Sequence, residues 1–369
     1  MGTLNFSRRG GLGNQATVLI IVAVLLAGGA ASYFYITNSS LGKQPTLTTF
    51  GISKTAGFSS FYIAQQKGFF INQGINASLV SYDTDAALIT AVSAGKADFS
   101  VATPLEISDA ISSGTKIQII GNVETSIPPG AGIVVRASSN ITTAAQLAGK
   151  KVGIVAKGTL PDYLALQLEK STGITFTEVV LTGASRTTSL LGGQVDALVS
   201  VDPELYQLAG SRQAKMIVDL SAQLSGQWTP YTVLFTRPTM IQNQSDVIKK
   251  VMQALYNSAA YMHFDAKDTI PLVANFTSSS TDIGTRLYND TISVLSTNGA
   301  VDPNFLMQNI NNLKTIIGDK SVTPTIGTLY YGNFVPMTAS AAGIIRFPLY
   351  FRPLDTDLAP GPPLPARVS

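Results

Sequence analysis

One phrase occurs twice in this chain and limits what the chain can fold into. Residues 93–104 read SAGKADFSVATP and residues 191–203 read LGGQVDALVSVDP. A shift of 98 positions lays Gly95 on Gly193, Lys96 on Gln194, Asp98 on Asp196 and Val101 on Val199. Helical-looking stretches, 86–94 and 185–191, precede the two copies. The glycine suits the residue just past a helix end, where a positive φ costs it little. The apolar run after each aspartate reads as a short buried strand. The phrase is therefore helix, stop, strand, loop. In open α/β sheets, ligands bind outside the carboxyl ends of the strands, here residues 102–104 and 200–203. Two such ends, one per half, predict a cleft between two similar lobes.

The segments around the repeat extend this pattern. Residues 46–52 alternate as a strand, and the loop Ser53 to Phe58 leads to a helix over 59–67 with Ser59 or Ser60 as its N-cap. A strand at 76–81, a cap at Asp83 or Thr84, a helix opened by Pro104 and a strand at 117–123 follow. That rhythm predicts a parallel, doubly wound sheet. A second lobe is inserted next. AGIVVR (131–136) carries the chain across, and strands at 151–155 and 175–181 flank a helix over 160–171. YTVLFTR brings the chain back through a strand at 232–236, expected to pair with 131–136 as a hinge. Helices at 244–264, 267–276, 282–296 and 302–316 have no strands of their own and should pack on the first lobe. The expected organisation is a tip and apolar helix at 1–36, a linker at 37–45, lobe one at 46–130 and 238–337, lobe two at 131–237, and a tail at 338–369 with six prolines after Phe347, read as extended.

The 369 residues are 45% hydrophobic and only 13% charged, so Ser, Thr, Asn and Gln must cover much of the surface. Such a surface changes little when carboxylates protonate, which suits an acidic medium. The net charge of +3 comes without a Lys/Arg block, so no nucleic-acid partner is expected. The lack of cysteine excludes disulfides, thiolate metal sites and a cysteine nucleophile. No His/Asp/Glu cluster has metal-ligand spacing, no phosphate-binding glycine loop occurs, and Gly-x-Ser-x-Gly is absent, so neither an enzyme, a metal nor a cofactor is expected. Residues 16–36 carry no charge and are long enough as a helix, about 30 Å, to span a bilayer. With Arg8 and Arg9 before it, the rest of the chain is placed outside the cell. A retained anchor, a cleaved signal after residues 29–31 and a pilin-like leader at Arg8–Leu12 all remain open.

FYIAQQKGFFINQGI (61–75), AVSAGKADFSVATP (91–104), ITTAAQLAGKKVGI (141–154) and LLGGQVDALVSVDP (190–203), in this order and spacing, resemble the type II periplasmic binding proteins of ABC importers, in particular the sulfonate, taurine, nitrate and thiamine-precursor group. The resemblance covers residues 47–336, about four-fifths of the chain. It implies two lobes joined by two crossing strands, closing on a small ligand that passes to a membrane permease. It also implies where the ligand lies: the loop after the first strand, Ala102 to Pro104, Gly158 with Thr159, and Ser200 to Asp202. A surface sensor of the same fold without a transporter is the alternative.

Helix starts at Ser59, Thr103 and Thr159 would point N–H groups into that crevice, each worth about 0.3–1 kcal/mol to an anion. An anionic ligand is therefore expected, of sulfonate, nitrate, pyrimidine or aromatic-acid type. Gly57 and Gly158 allow close backbone approach, with Phe58 beside the first. Lys54, Lys157 and Arg186 are candidate anion partners, whereas Glu106, Asp202 and Glu204 would oppose an anion or welcome an amine. Trp228, the single tryptophan, is a candidate stacking platform. Asp98 and Asp196 are expected to shape their turns and not to touch ligand.

Overall fold

The computed structural model describes residues 44–157, 159–221 and 230–334, all within one compact unit. The apolar stretch 16–36, Gly158, Trp228 and the tail 338–369 lie outside the described residues. Among the described residues, no helix is long and apolar enough to cross a membrane.

Among the described residues, ten strands form two five-stranded sheets: β1 (Thr46–Ile52), β2 (Ile75–Ser81), β3 (Phe99–Ala102), β4 (Gln118–Glu124), β5 (Gly132–Arg136), β6 (Lys151–Ile154), β7 (Thr177–Val180), β8 (Ala197–Ser200), β9 (Ala214–Asp219) and β10 (Thr232–Thr236). The first sheet runs β2-β1-β3-β10-β4 and the second β7-β6-β8-β5-β9. The orders correspond strand for strand. In each sheet, the fourth strand arrives from the other lobe and runs antiparallel to its neighbours. The sheets are therefore mixed, a correction to the all-parallel expectation. A second correction concerns the hinge. β5 and β10 do not pair with each other, because each is sandwiched inside a different sheet and its backbone groups are already used there. The crossings are the connections β4 to β5 and β9 to β10.

Central strands are apolar because both their faces are covered. All four residues of β3 and all four of β8 are buried, while the edge strands β2 and β7 leave Val80 and Val180 in solvent. One core lies under the first sheet, where Phe50 stacks on Phe70 and Phe99, and it extends into Ile248, Val251 and Met252 of the helix Ser245–Phe264. The helix Ser245–Phe264 thus packs on lobe one, as expected, whereas the helix Pro303–Ile317 packs against both lobes. A second cluster joins Ile107, Ile133, Val152, Val233 and Leu306 and runs through both lobes.

The helix expected at 282–296 ends at Ile292. Beyond it the backbone turns to cover β4: Thr125 N–H donates to Val294 O at 2.8 Å, Ser296 N–H to Val123 O at 2.8 Å and Asn122 N–H to Gly299 O at 2.9 Å. An otherwise open sheet edge is capped in this way.

Candidate functional site

A cavity of about 160 Å³ lies between the two lobes. It is close to the ~150 Å³ that accommodates a benzene ring in a protein interior. Its walls come from strand ends and crossings: Ser53, Thr55, Gly57 and Phe58 after β1, Ala102 and Thr103 after β3, Glu124 at the end of β4, Asp202 after β8, and Tyr231 and Thr232 at the start of β10. The crossing at residues 127–131 forms another wall.

The sequence places a helix start beside several of these strand ends. Thr84 caps the helix Asp85–Ser93 by accepting from Ala87 N–H, and Asp85 follows it into the cavity wall. Thr103 caps the helix Pro104–Ser112: its hydroxyl accepts from Glu106 N–H and donates to Glu106 Oε2 at 2.9 Å. Its own N–H donates to Asp85 Oδ2 at 3.2 Å. Across the cleft, Ala56 N–H donates to Asp202 Oδ1 at 3.1 Å. The positive helix and turn starts expected to receive an anion thus already hold the protein's own carboxylates.

Asp202 belongs to a short segment that ties lobe two to lobe one. Tyr206 donates a short hydrogen bond to Asp290, and Gln207 Nε2 reaches Thr277 O at 3.4 Å and Ser279 Oγ at 3.3 Å. These contacts close the cleft on one side.

The electrostatics of the cavity are acidic. Asp83, Asp85, Glu106, Glu124 and Asp202 line it, and no Lys, Arg or His does so among the described residues. Glu124 is 4% exposed and Asp202 8% exposed. Burial pushes the Glu124 carboxyl up to about 8, against the lowering effect of the Thr232 hydroxyl that donates to it at 2.8 Å. Burial also raises Asp202 to about 6, opposed by the Ala56 N–H. Desolvation raises Asp85 and Glu106, the latter further through the Asp85 charge. The Tyr231 phenol is driven up by burial and by the same four carboxylates. Gly57 is required by close approach, since a methyl group there would lie 2.7–2.8 Å from the Glu124 carboxyl oxygens.

Of the residues singled out in the sequence, Gly57, Phe58, Ala102, Thr103, Glu106, Thr159 and Asp202 line the cavity. Four others do not. Lys54 turns away and places Nζ 4.6 Å over the Phe276 ring. Arg186 is buried, donating to both Glu204 oxygens and to Val199 O at 2.7 Å. Ser200 donates to the same Glu204 at 2.8 Å. Ser59 is not an N-cap: its hydroxyl donates back to Ala56 O at 2.6 Å, and the helix Ser59–Gln66 has no side-chain cap. Gly158 and Trp228 lie outside the described residues. Sequence reasoning passed over Asp85, Glu124 and Tyr231 as site residues. Glu124 was within reach, because it follows directly on the strand expected at 117–123, at its carboxyl end. Among the described residues, no group of three or more His, Cys, Asp or Glu is placed to hold a metal ion.

Comparison with known proteins agrees with this architecture. The alkanesulfonate-binding protein of Xanthomonas axonopodis pv. citri, solved with bound MOPS, superposes with a TM-score of 0.66 at 18% identity, over 78% of this chain and 99% of that one. The periplasmic aliphatic sulphonate-binding protein of Escherichia coli gives 0.61 at 17% identity, over 78% of this chain and 94% of that one. At such identities the likeness shows the two-lobed fold alone. A curated relative, a putative thiamine biosynthesis protein of Haemophilus influenzae, is 29% identical over 186 residues, 47% of this chain. The match spans 58% of that relative's length. The family model described as NMT1/THI5 like matches residues 55–268, more than half of the 369 residues, and the chain belongs to that family.

Proposed function

We propose that this chain is an extracytoplasmic solute-binding protein that captures a small organic molecule between its lobes and presents it to an ABC-type permease. The observation that carries the reading is the cleft cavity of about 160 Å³ at the strand ends of two sheets of equivalent strand order. Pockets at such strand ends suit a ligand held by backbone and a few polar side chains. The volume suits a single substituted ring. Of the sequence-expected residues, Gly57, Phe58, Thr103, Glu106, Thr159 and Asp202 are the proposed contacts, joined by Asp85, Glu124 and Tyr231. The apolar stretch 16–36 is proposed to deliver the binding domain to the outside, tethered or released. The anionic preference expected from helix starts gains no support from the cavity wall, where those N–H groups hold Asp85 and Asp202.

The test is a native mass spectrum of the purified protein, a thermal-shift screen of small organic molecules, and uptake of any identified ligand with and without the gene. A ligand present at a hundredfold excess over Kd stabilises the fold by about 2.7 kcal/mol, a clear rise in Tm. The expected outcome is one bound small molecule whose uptake falls when the gene is deleted. Binding with unimpaired uptake would favour the sensor alternative over the importer. A protein that neither retains nor responds to any small molecule would overturn the proposal.

A further inference from the structure

The cavity brings carboxyl groups together from four directions. Asp85 comes from the start of one helix, Glu106 from the first turn of another, Glu124 from the end of β4 and Asp202 from across the cleft. Exposed Asp83 stands at the rim. Three cations of the loops and helices around the cleft are engaged elsewhere: Lys54 on Phe276, Arg186 on Glu204, and Lys157 on Glu178 and Asp162. The N–H groups of Ala56 and Thr103 are committed to Asp202 and Asp85.

Besides the acidic groups themselves, there is a cleft space of about one ring's volume, bridged by cross-lobe hydrogen bonds. Buried carboxylates facing one cavity demand either protons or a positive partner. Building on the solute-binding reading above, we propose that this cleft selects a small organic cation of single-ring size, such as an amidinium or ring ammonium, over its neutral and anionic isosteres.

Capture then displaces a proton. In the empty cleft, burial holds Glu124 at about 8 and Asp202 at about 6, with Asp85 and Glu106 also raised. Acting on them are one another's charges, the Thr103 and Thr232 hydroxyls, the Ala56 and Thr103 N–H groups, Asp109 beside Glu106 and Asp290 behind Asp202, with the Tyr231 phenol in the same wall. A neutral carboxyl plus the incoming cation gives a carboxylate–cation pair and one proton released to solvent. Affinity for a permanently charged cation therefore rises with pH between about 6 and about 8, by up to about tenfold per pH unit for each proton displaced.

Isothermal titration with three isosteric probes, benzamidine, benzamide and benzenesulfonate, tests this on the full chain. Benzamidine is expected to bind at least about tenfold more tightly than benzamide, with benzenesulfonate silent. Titrating benzamidine in buffers of different ionisation enthalpy should reveal proton release at pH 7. Glu124→Gln and Asp202→Asn should each weaken benzamidine by at least about tenfold. Glu124→Gln should also reduce the protons released at pH 7, where Asp202, at about 6, has already lost its own, with thermal unfolding confirming that both variants are folded. Benzenesulfonate binding as tightly as benzamidine would overturn the inference while leaving the solute-binding reading standing. A cleft that takes none of the three would also overturn it, and the native mass spectrum decides the broader reading separately. Benzamidine binding without proton release, or with affinity flat across pH 6–8, would remove the proton step.

Discussion

The two copies of the repeated phrase build the same corner, and the difference between the lobes begins just beyond it. In lobe one, Asp98 Oδ2 accepts from Thr49 N–H at 2.9 Å, and Arg237 Nη1 donates to Val92 O and Ala97 O. In lobe two, Asp196 Oδ2 accepts from Lys151 N–H at 2.9 Å, and Arg136 Nη1 donates to Leu190 O and Val195 O. The 98-residue shift that aligns the phrases also carries Val92 onto Leu190 and Ala97 onto Val195. Each arginine is delivered by the strand that arrives from the other lobe: Arg136 ends β5 and Arg237 follows β10. The same shift carries Glu106 onto Glu204 and Leu88 onto Arg186. Here the lobes part. Leu88 is fully buried in the core and leaves Glu106 facing the cavity, whereas Arg186 folds over Glu204 and removes it from the site. One position in a helix, apolar in one lobe and basic in the other, separates the acid that lines the cavity from the equivalent acid that is paired.

The sharpest way to break this comparison is Arg186→Leu, which gives lobe two the residue of lobe one. Arg186 and Glu204 are both shielded, with side-chain exposures of 7% and 22%. Removing one partner strands the other and leaves Val199 O without its donor, at an expected loss of about 3–5 kcal/mol. Urea unfolding measures it. The double variant Arg186→Leu/Glu204→Gln should recover most of that loss, because no uncompensated charge remains. Equal losses in the single and double variants would mean that Arg186 serves packing and not the neutralisation of Glu204.

The corners were legible in the sequence because they are backbone events. A glycine at a helix end, an aspartate taking the N–H of a neighbouring strand and an apolar run all leave a local trace. The arginines hinted at themselves through the likeness of AGIVVR to YTVLFTR, which is topological equivalence and not pairing. β9 escaped because its exposure follows no strict alternation and Met216 points into solvent. The site was less legible for a different reason. Lys54 lies in a loop beside the cleft and Arg186 in the helix Ser185–Leu191, yet their charges are settled by Phe276 and by Glu204, which sequence order does not bring beside them. Asp85 follows the cap expected at Asp83 or Thr84, and Glu124 follows the strand expected at 117–123. The strand order of the first sheet brings both to one cavity, a long-range arrangement that leaves no local trace.

That shared burial predicts a pH dependence of the empty protein. Glu124 has a folded value of about 8 against an ordinary 4.5, so the folded state holds its proton more tightly than the unfolded chain. Its contribution is fully present below about 4.5 and is lost as pH rises through about 8. Asp202 adds the same sign between 3.8 and about 6. Each group can change stability by up to about 1.4 kcal/mol per pH unit within its window. Unliganded protein should therefore lose stability from pH 5 to 8, and Glu124→Gln should flatten the upper part of that slope. Asp319, lowered to about 2 by the Ser321 N–H and Lys314, works in the opposite sense and matters only as pH falls towards that value. Denaturant titrations at several pH values distinguish the cases. Stability that rises from pH 5 to 8 would contradict the buried, protonated cluster, and a collapse between pH 5 and 3 would contradict the acid tolerance suggested by the low charge content.

The smallest effect tests the corners themselves. Gly95 and Gly193 have φ values of 75° and 78°, each just after a helix end, where an L side chain is strained. Alanine at either position should cost about 1 kcal/mol, since the left-handed backbone strain is partly offset by the lower entropy of the unfolded variant. The two should not be identical. A Cβ on Gly95 would find its nearest neighbour, Arg237, at 3.9 Å, whereas one on Gly193 would meet Arg136 Nη1 at 3.3 Å. That guanidinium cannot retreat without loosening its bonds to Leu190 O and Val195 O. Gly193→Ala should therefore lose a few tenths of a kcal/mol more than Gly95→Ala when the midpoints of urea unfolding are compared side by side. If Gly95→Ala were instead the more damaging by a clear margin, the additional bond from Arg237 Nη2 to Asp98 at 3.0 Å would have to make the first corner the stiffer of the two, and the equivalence of the copies would hold for their geometry but not for their mechanics.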